Sequence, residues 1–532
     1  MGIMERPVVT VRENGGKCWE HTYDEFYLKA YVPATKIDGQ VNNYTFRAPL
    51  LLVFEEKRQS MEEAVRFADE SGLAEIAGAV DCAVLFVYPT CEGGWKNAAK
   101  DLYPAVIKEV KMAPDYADGI VSMTDFFKRE FQGYFIRGTI FRADIYSYGE
   151  SADYVAKNLL KTIEGEYLWG PGEITPAMCS MENLSVIPEV ERRDIAILSV
   201  GNSKEANEAF QTCENLLVKD RAEYRADFQK FVRKFKMWCG NLEIEPDFEA
   251  LQMTEEAGCV TVKTSPDNKG AFKDTAEHRV GYFAYYNKDV FDKGLVPLVV
   301  GFHGAGDSSM FLTFVSGWWE VAHKYGFLFV SFENHQNVTA TEVIQVIEAL
   351  KTKYKIDDHR IYATGFSMGS GKTWSLVQEY PEVFAGFAPA SALFPVRNNP
   401  FGKSLADGIN QDIPAAIFYS GGEKSFVSEL PFQAEAALER IQYAAKVNRL
   451  KKKFDVTFEE KEKWEDPIWG VAGDRIEVLH DDSRGSDLKI HYYDSEDGVC
   501  RTAFASISGQ VHEFRHHTCE NAWKFISQFQ RE

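Results

Sequence analysis

The chain has 532 residues, 59 basic and 80 acidic side chains, and a formal net charge of −21. That length exceeds the about 300 residues one hydrophobic core sustains, while 45% apolar and 26% charged residues are ordinary for a soluble globular protein. The acidic balance argues against nucleic acid and anionic membrane surfaces as partners, and no apolar run approaches the about 18 residues of a spanning helix.

The N-terminus reads MGIMERPVVTV, without a basic segment leading into an apolar one, so a cytoplasmic protein is expected, or a secreted one if a leader has been removed. Strand-forming VVTV (residues 8–11) and FYLKAYVP (26–33) flank a turn-rich stretch and predict a β-hairpin. The continuous apolar runs PLLLVF (49–54) and CAVLFVYP (82–89) fit buried parallel strands separated by a helix. DIYSYGESADYVAKNL (144–159) reads as strand, turn and helix, and DIAILSVGNSKE (194–205) as a further strand entering a turn.

After an acidic, unpatterned stretch at about 240–255 the same series starts again. VTV (260–262) and VGYFAYYN (280–287) repeat the hairpin; PLVVGF (297–302) and FLFVSF (327–332) repeat the apolar strands. RIYATGFSMGSGKTWSL (360–376) repeats the strand–turn–helix segment, and IPAAIFYSGGEK (413–424) the strand after it. This order predicts a duplicated α/β architecture, each copy a mostly parallel sheet flanked by helices, over residues 1–245 and 246–532. The letters align Ile145-Tyr146 with Ile361-Tyr362, Gly149 with Gly365 and Ser151 with Ser367.

The second copy carries chemistry. G-x-S-x-G (Gly365, Ser367, Gly369) between a strand and a helix is the setting of a nucleophile elbow, in which small residues permit a tight turn that exposes the serine Oγ. The loop GFHGAGDSS (301–309) follows an earlier strand, where a second oxyanion donor belongs; the backbone N–H groups of Gly304, Ala305 and Met368 are the candidate hole. His303, Gly306 and Phe366 flank it and are candidate substrate contacts. A serine needs a base and the base an orienting carboxylate, here in the chain order Ser, acid, His. Glu423 closes the strand AAIFYSGG and is the first candidate acid, with Glu429 the alternative; His512 follows the last strand as base, with His516 and His517 as lesser candidates. The charged stretch 451–470 reads as a solvated surface segment or, through Trp464 and Trp469, as a lid facing ligand.

GFHGAGDSS, KYKIDDHRIYATGFSMGSG and EYPEVFAGFAPASA (379–392) resemble the polyhydroxybutyrate depolymerase and feruloyl-esterase-like branch of the α/β-hydrolase superfamily, over roughly residues 255–532. The resemblance implies a serine carboxylesterase acting on a small or aromatic acyl ester, with Ser367 as nucleophile, Glu423 in the acid position, His512 in the base position, and no metal or organic cofactor. A Glu in place of the branch's usual Asp, and Ser370 after Gly369, are departures. An amidase, peptidase or acyltransferase would use the same triad.

Two other motifs overlap these residues. GFSMGSGKT misses the phosphate-binding G-x-x-x-x-G-K-[ST] because Phe366 stands where its first glycine belongs. HEFRH (512–516) matches a zinc-binding H-E-x-x-H, which requires both histidines on one helix and a third ligand; a non-catalytic binding protein is a further alternative. The first copy keeps Ser151 but reads G-E-S-A-D, with Asp153 at the second elbow glycine, lacks an HGxG loop, and has no histidine between His21 and His278. It is expected to be a catalytically dead domain serving docking, oligomerisation with a second copy, or walling of the active-site mouth.

Overall fold

Runs of consecutive apolar residues become buried strands of two large mixed sheets in the computed structural model, one in each of the units Met1–Pro246 and Asp247–Glu532 into which the chain divides. The structure describes residues 8–34, 49–80, 82–110, 139–167, 170–193, 195–213, 215–225, 227, 234–236, 242–244, 246, 248–270, 272–305, 309–333, 335–393, 412–425, 427–481 and 486–532.

In the first unit the strands are β1 Thr10–Val11, β2 Lys17–Thr22, β3 Phe26–Val32, β4 Pro49–Phe54, β5 Val84–Pro89, β6 Thr139–Tyr148, β9 Met178–Glu182, β10 Ala196–Val200 and β11 Leu216–Lys219. Between β6 and β9 lies a small ribbon of β7 Glu164–Tyr167 and β8 Gly170–Glu173, and after β11 another of β12 Lys234–Lys236 and β13 Leu242–Ile244. The main sheet has the order β1-β2-β3-β5-β4-β6-β9-β10-β11; the hairpin strands are antiparallel and the rest, from β5 onward, are parallel. Leu50–Phe54 and Val84–Val87 are almost wholly buried, as strands covered on both faces must be.

In the second unit the strands are β14 Met253–Lys263, β15 Glu277–Asn287, β16 Val296–Phe302, β17 Leu328–Phe332, β18 Ile356–Phe366, β19 Gly386–Ala390, β20 Ile417–Gly422, β21 Arg475–Asp481, β22 Ser486–Tyr493 and β23 Thr502–Ile507. Their order is β14-β15-β17-β16-β18-β19-β20-β23-β22-β21. From β14 to β23 the order and strand directions repeat those from β2 to β11; β22 and β21 are added antiparallel beyond β23. Two tandem α/β sheets therefore share one topology.

Registers correct the residue-by-residue alignment of the two copies. β4 pairs Phe54 with Ser147, and β16 pairs Phe302 with Gly365. Gly149 N–H donates to Glu182 O across β9, as Ser367 N–H donates to Ala390 O across β19. The counterpart of Ser367 is therefore Gly149, and Ser151 matches Gly369. Matching letters misled because the serine recurs two positions beyond the turn that the backbone preserves.

The stretch 451–470 is also corrected. Trp469 is fully buried, its ring stacked 5.3 Å from that of Phe504, so it belongs to the core and not to a lid. Trp464 is half-buried and donates its indole N–H to Thr457 O. Only the short 3-10 turn Phe458–Lys463 has no buried residue, and its alternating charges are the solvated face of the segment. No helix among the described residues is long and apolar enough to cross a membrane.

Candidate active site

β18 runs straight into Ser367, and the helix Met368–Glu379 starts at the next residue. Ser367 lies at φ 53° and ψ −114°, a conformation L-residues rarely adopt, and this turn lifts its side chain clear of strand and helix. The flanking glycines are enforced by contact. A Cβ on Gly365 would meet Gly369 O at 2.2 Å, and one on Gly369 would meet Phe302 O at 1.9 Å. The elbow thus brings the helix start against the end of β16, where the loop with His303, Gly304 and Ala305 leaves the sheet.

His512 follows β23 and is buried beneath Phe366, the ring centroids 4.8 Å apart. Its Nε2 lies 2.9 Å from Ser367 Oγ and its Nδ1 2.5 Å from Glu429 Oε1. Because the carboxylate only accepts, Nδ1 carries the proton and Nε2 offers its lone pair to the serine hydroxyl. Glu429 is fully buried, and its other oxygen accepts the Gly422 N–H at 2.6 Å, so the carboxylate is held at both ends.

Glu423, the first candidate acid, is not at this site. Its Oε1 accepts from Ser506 Oγ at 3.0 Å, and its own N–H donates to Ile507 O, which fixes it alongside β23. The carboxylate beside His512 comes instead from the loop beyond the strand, where Leu430 and Glu429 N–H groups bond Gln433 Oε1 and hold the turn. Glu429, the alternative candidate from sequence, is thus the glutamate that lies against His512, while Glu423, favoured because it closes the strand, is not.

Two predicted substrate contacts also differ, and a third cannot be placed against the site. His303 is turned inward and buried, with Nδ1 2.7 Å from Gly304 O; burial holds its pKa down at about 4, so it is neutral. Phe366 is buried between His512 and Phe514, where it backs the imidazole. Gly306 lies outside the described residues.

HEFRH does not form one helical face. His512 and Glu513 precede the helix His516–Ile526; His512 faces Ser367, while His516 Nε2 lies 3.0 Å from Glu320 Oε2. Among the described residues no group of three or more His, Cys, Asp or Glu side chains is arranged to hold a metal ion. Lys372, the lysine of the phosphate-loop-like segment, is buried and hydrogen-bonded through Nζ to Val338 O instead of facing a phosphate.

The first unit preserves the turn and not its contents. Gly149 has φ 58° and ψ −127°, close to the Ser367 values. A Cβ there would lie 2.2 Å from Glu56 Oε1, so a carboxylate occupies the space of a nucleophile. Ser151 is fully buried; its Oγ donates to Phe54 O at 2.6 Å and accepts the Tyr148 N–H at 3.0 Å. Asp153, at the place of the second elbow glycine in the letter alignment, accepts the Ser185 N–H at 2.8 Å.

No family model matches the chain. It is 30% identical over 135 residues to the bifunctional acetylxylan esterase/xylanase XynS20E of Neocallimastix patriciarum, a match covering 24% of this chain and 19% of that protein. It is 29% identical over 112 residues to poly(3-hydroxyalkanoate) depolymerase C of Paucimonas lemoignei, covering 18% of this chain and 27% of the relative. The chain thus matches only about a fifth to a quarter of the length of either relative. Among solved structures, an acetyl xylan esterase from Aspergillus awamori is similar at 14% identity and TM-score 0.34, covering 51% of this chain and 99% of that one. A feruloyl esterase module from Clostridium thermocellum aligns at 13% identity and TM-score 0.29, over 51% of this chain and 86% of its own.

Proposed function

We propose that the second unit is a serine carboxylic ester hydrolase. The observation that carries this reading is the imidazole of His512 bridging Ser367 and Glu429 at hydrogen-bond distance on both sides. Ser367 Oγ attacks the ester carbonyl while its proton passes to His512 Nε2, and buried Glu429 stabilises the imidazolium through Nδ1–H. The backbone N–H groups of Met368, Gly304 and Ala305 receive the negative charge on the tetrahedral oxygen. His512 then protonates the departing alcohol, leaving an acyl-serine, and water activated by the same imidazole releases the acid.

The names of the two sequence relatives, an acetylxylan esterase and a hydroxyalkanoate depolymerase, support a small acyl group on an alcohol oxygen as the substrate. A serine-directed fluorophosphonate tests the reading. Stoichiometric labelling mapped to the peptide carrying Ser367, with loss of hydrolysis of short-chain and cinnamoyl chromogenic esters, is expected. Full activity after complete phosphonate treatment would overturn it.

A further inference from the structure

Each candidate oxyanion N–H in the loop after β16 belongs to a peptide group whose carbonyl is held by an imidazole. His335 sits in the 3-10 turn His335–Asn337 after β17, wholly buried, with Nε2 2.7 Å from His303 O. A carbonyl only accepts, so Nε2 carries the proton. His303 O and Gly304 N–H are the two ends of one planar trans peptide and point in opposite directions. Drawing the carbonyl into the interior therefore aims the Gly304 N–H outward. His303 does the same one residue on: its Nδ1 reaches Gly304 O, whose peptide partner is the Ala305 N–H. The segment that carries His335 is itself tied to the nucleophile helix, because Lys372, the fifth residue after Ser367, donates Nζ to Val338 O.

The first unit carries the same device in other residues. By register Glu55 matches His303. Trp95, in the 3-10 turn Gly94–Asn97 after β5, donates its indole N–H to Glu55 O, and its ring stacks on Phe54 as His335 packs on Phe302. Tyr154, the fifth residue after Gly149, donates its hydroxyl to Lys100 O just beyond that turn. The N–H so aimed, that of Glu56, lies on the side of the Tyr148 phenol, whose oxygen accepts from Gln59 Nε2 at 2.8 Å. In both units, then, a side chain from the 3-10 turn after the neighbouring strand holds the first loop carbonyl, although the side chains differ.

We infer that His335, anchored by Lys372, is the positioning residue that holds the Gly304 N–H toward the substrate carbonyl oxygen. Neither side chain touches substrate. Burial keeps His335 neutral, with a pKa well below the ordinary imidazole value, and lowers Lys372 to about 8; a neutral imidazole makes the required hydrogen bond without burying a charge.

The inference rests on the serine-hydrolase reading, and its test separates the two. His335→Phe keeps an aromatic ring and removes the donor, whereas His335→Gln keeps an N–H near the Nε2 position. On a short-chain chromogenic ester, His335→Phe is expected to lose about 10- to 100-fold in kcat with KM nearly unchanged, since a misaimed oxyanion donor acts on the transition state. Affinity for a trifluoromethyl ketone, which forms a tetrahedral adduct on the serine, should fall by a similar factor, and His335→Gln should recover most of both. A folded His335→Phe enzyme with kcat within threefold of wild type, or equal losses in the Phe and Gln variants, would overturn the inference. If His335→Phe does not fold, Lys372→Met takes its place: a loss confined to kcat supports the brace, and unchanged kcat refutes it. Failure of the wild-type protein itself to react with fluorophosphonate would instead defeat the serine-hydrolase reading.

Discussion

The turns at Gly149 and Ser367 have nearly the same backbone, yet one holds a serine against an imidazole and the other a glycine against a carboxylate. The comparison separates what the fold requires from what the chemistry requires. Strand order, the positive-φ turn, the hydrogen bond to the neighbouring strand and the brace on the following loop are common to both units. The nucleophile, the buried acid and a histidine after the last parallel strand belong to the second alone. The two units thus differ in side chains at the turn, while the backbone scaffold around it is shared.

Variants at the two turns sharpen this contrast. The largest effect is expected from Ser367→Ala, with kcat for ester hydrolysis falling by about 10⁴- to 10⁶-fold while the protein stays folded; residual turnover within tenfold of wild type would mean that another residue attacks. Next come the two glutamates. Glu429→Gln should lower kcat by roughly 10²- to 10⁴-fold because the imidazole tautomer is no longer fixed, whereas Glu423→Gln should stay near wild type, and the reverse ranking in steady-state kinetics would return the acid role to Glu423.

Acid stability gives a third test. His303 is depressed from 6.5 to about 4 in the folded protein, so the unfolded chain takes up this proton first. Stability from this group is fully present above about pH 6.5 and is lost as pH falls through about 4, to the extent of about 3 kcal/mol. His303→Gln should flatten the denaturation midpoint against pH over that window; an unaltered pH profile would show that another group governs it. Smaller still, Ser151→Ala should cost about 1–3 kcal/mol in denaturant unfolding of the first unit, by leaving the Tyr148 N–H without its acceptor, and should leave ester hydrolysis unchanged. Gly149→Ser should create no activity and no phosphonate label at residue 149, because the new side chain meets the Glu56 carboxylate; a label there would break the contrast outright.

Much of the fold could be read from sequence, because buried parallel strands are written as local apolar runs and the elbow as adjacent glycines. Ser367, directly after β18, and His512, a short turn after β23, were read from the strands they follow, and the structure brings them to hydrogen-bond distance. Glu429 could be read only as the second choice, since it sits in a loop whose shape depends on Gln433 and Gly422. Trp469 was misread because charged neighbours on the solvent face hide one core residue. The true counterpart of Ser367 was concealed by Ser151, a chance serine that supplies a buried hydroxyl to Phe54 O. His335 gave no motif at all; only its position just after an apolar strand end, in ENHQN, marks it, and only three-dimensional register gives that position meaning.

The elbow's dihedral angles carry one more consequence. A serine at φ 53° is held in a conformation that costs of order 1–3 kcal/mol, whereas glycine occupies the same region freely. Exchanging one for the other relieves the first unit of that local strain while keeping its turn. The same turn is therefore held at lower local cost in the first unit than in the second, so the serine of the second unit is kept at a stability cost that its neighbour does not carry.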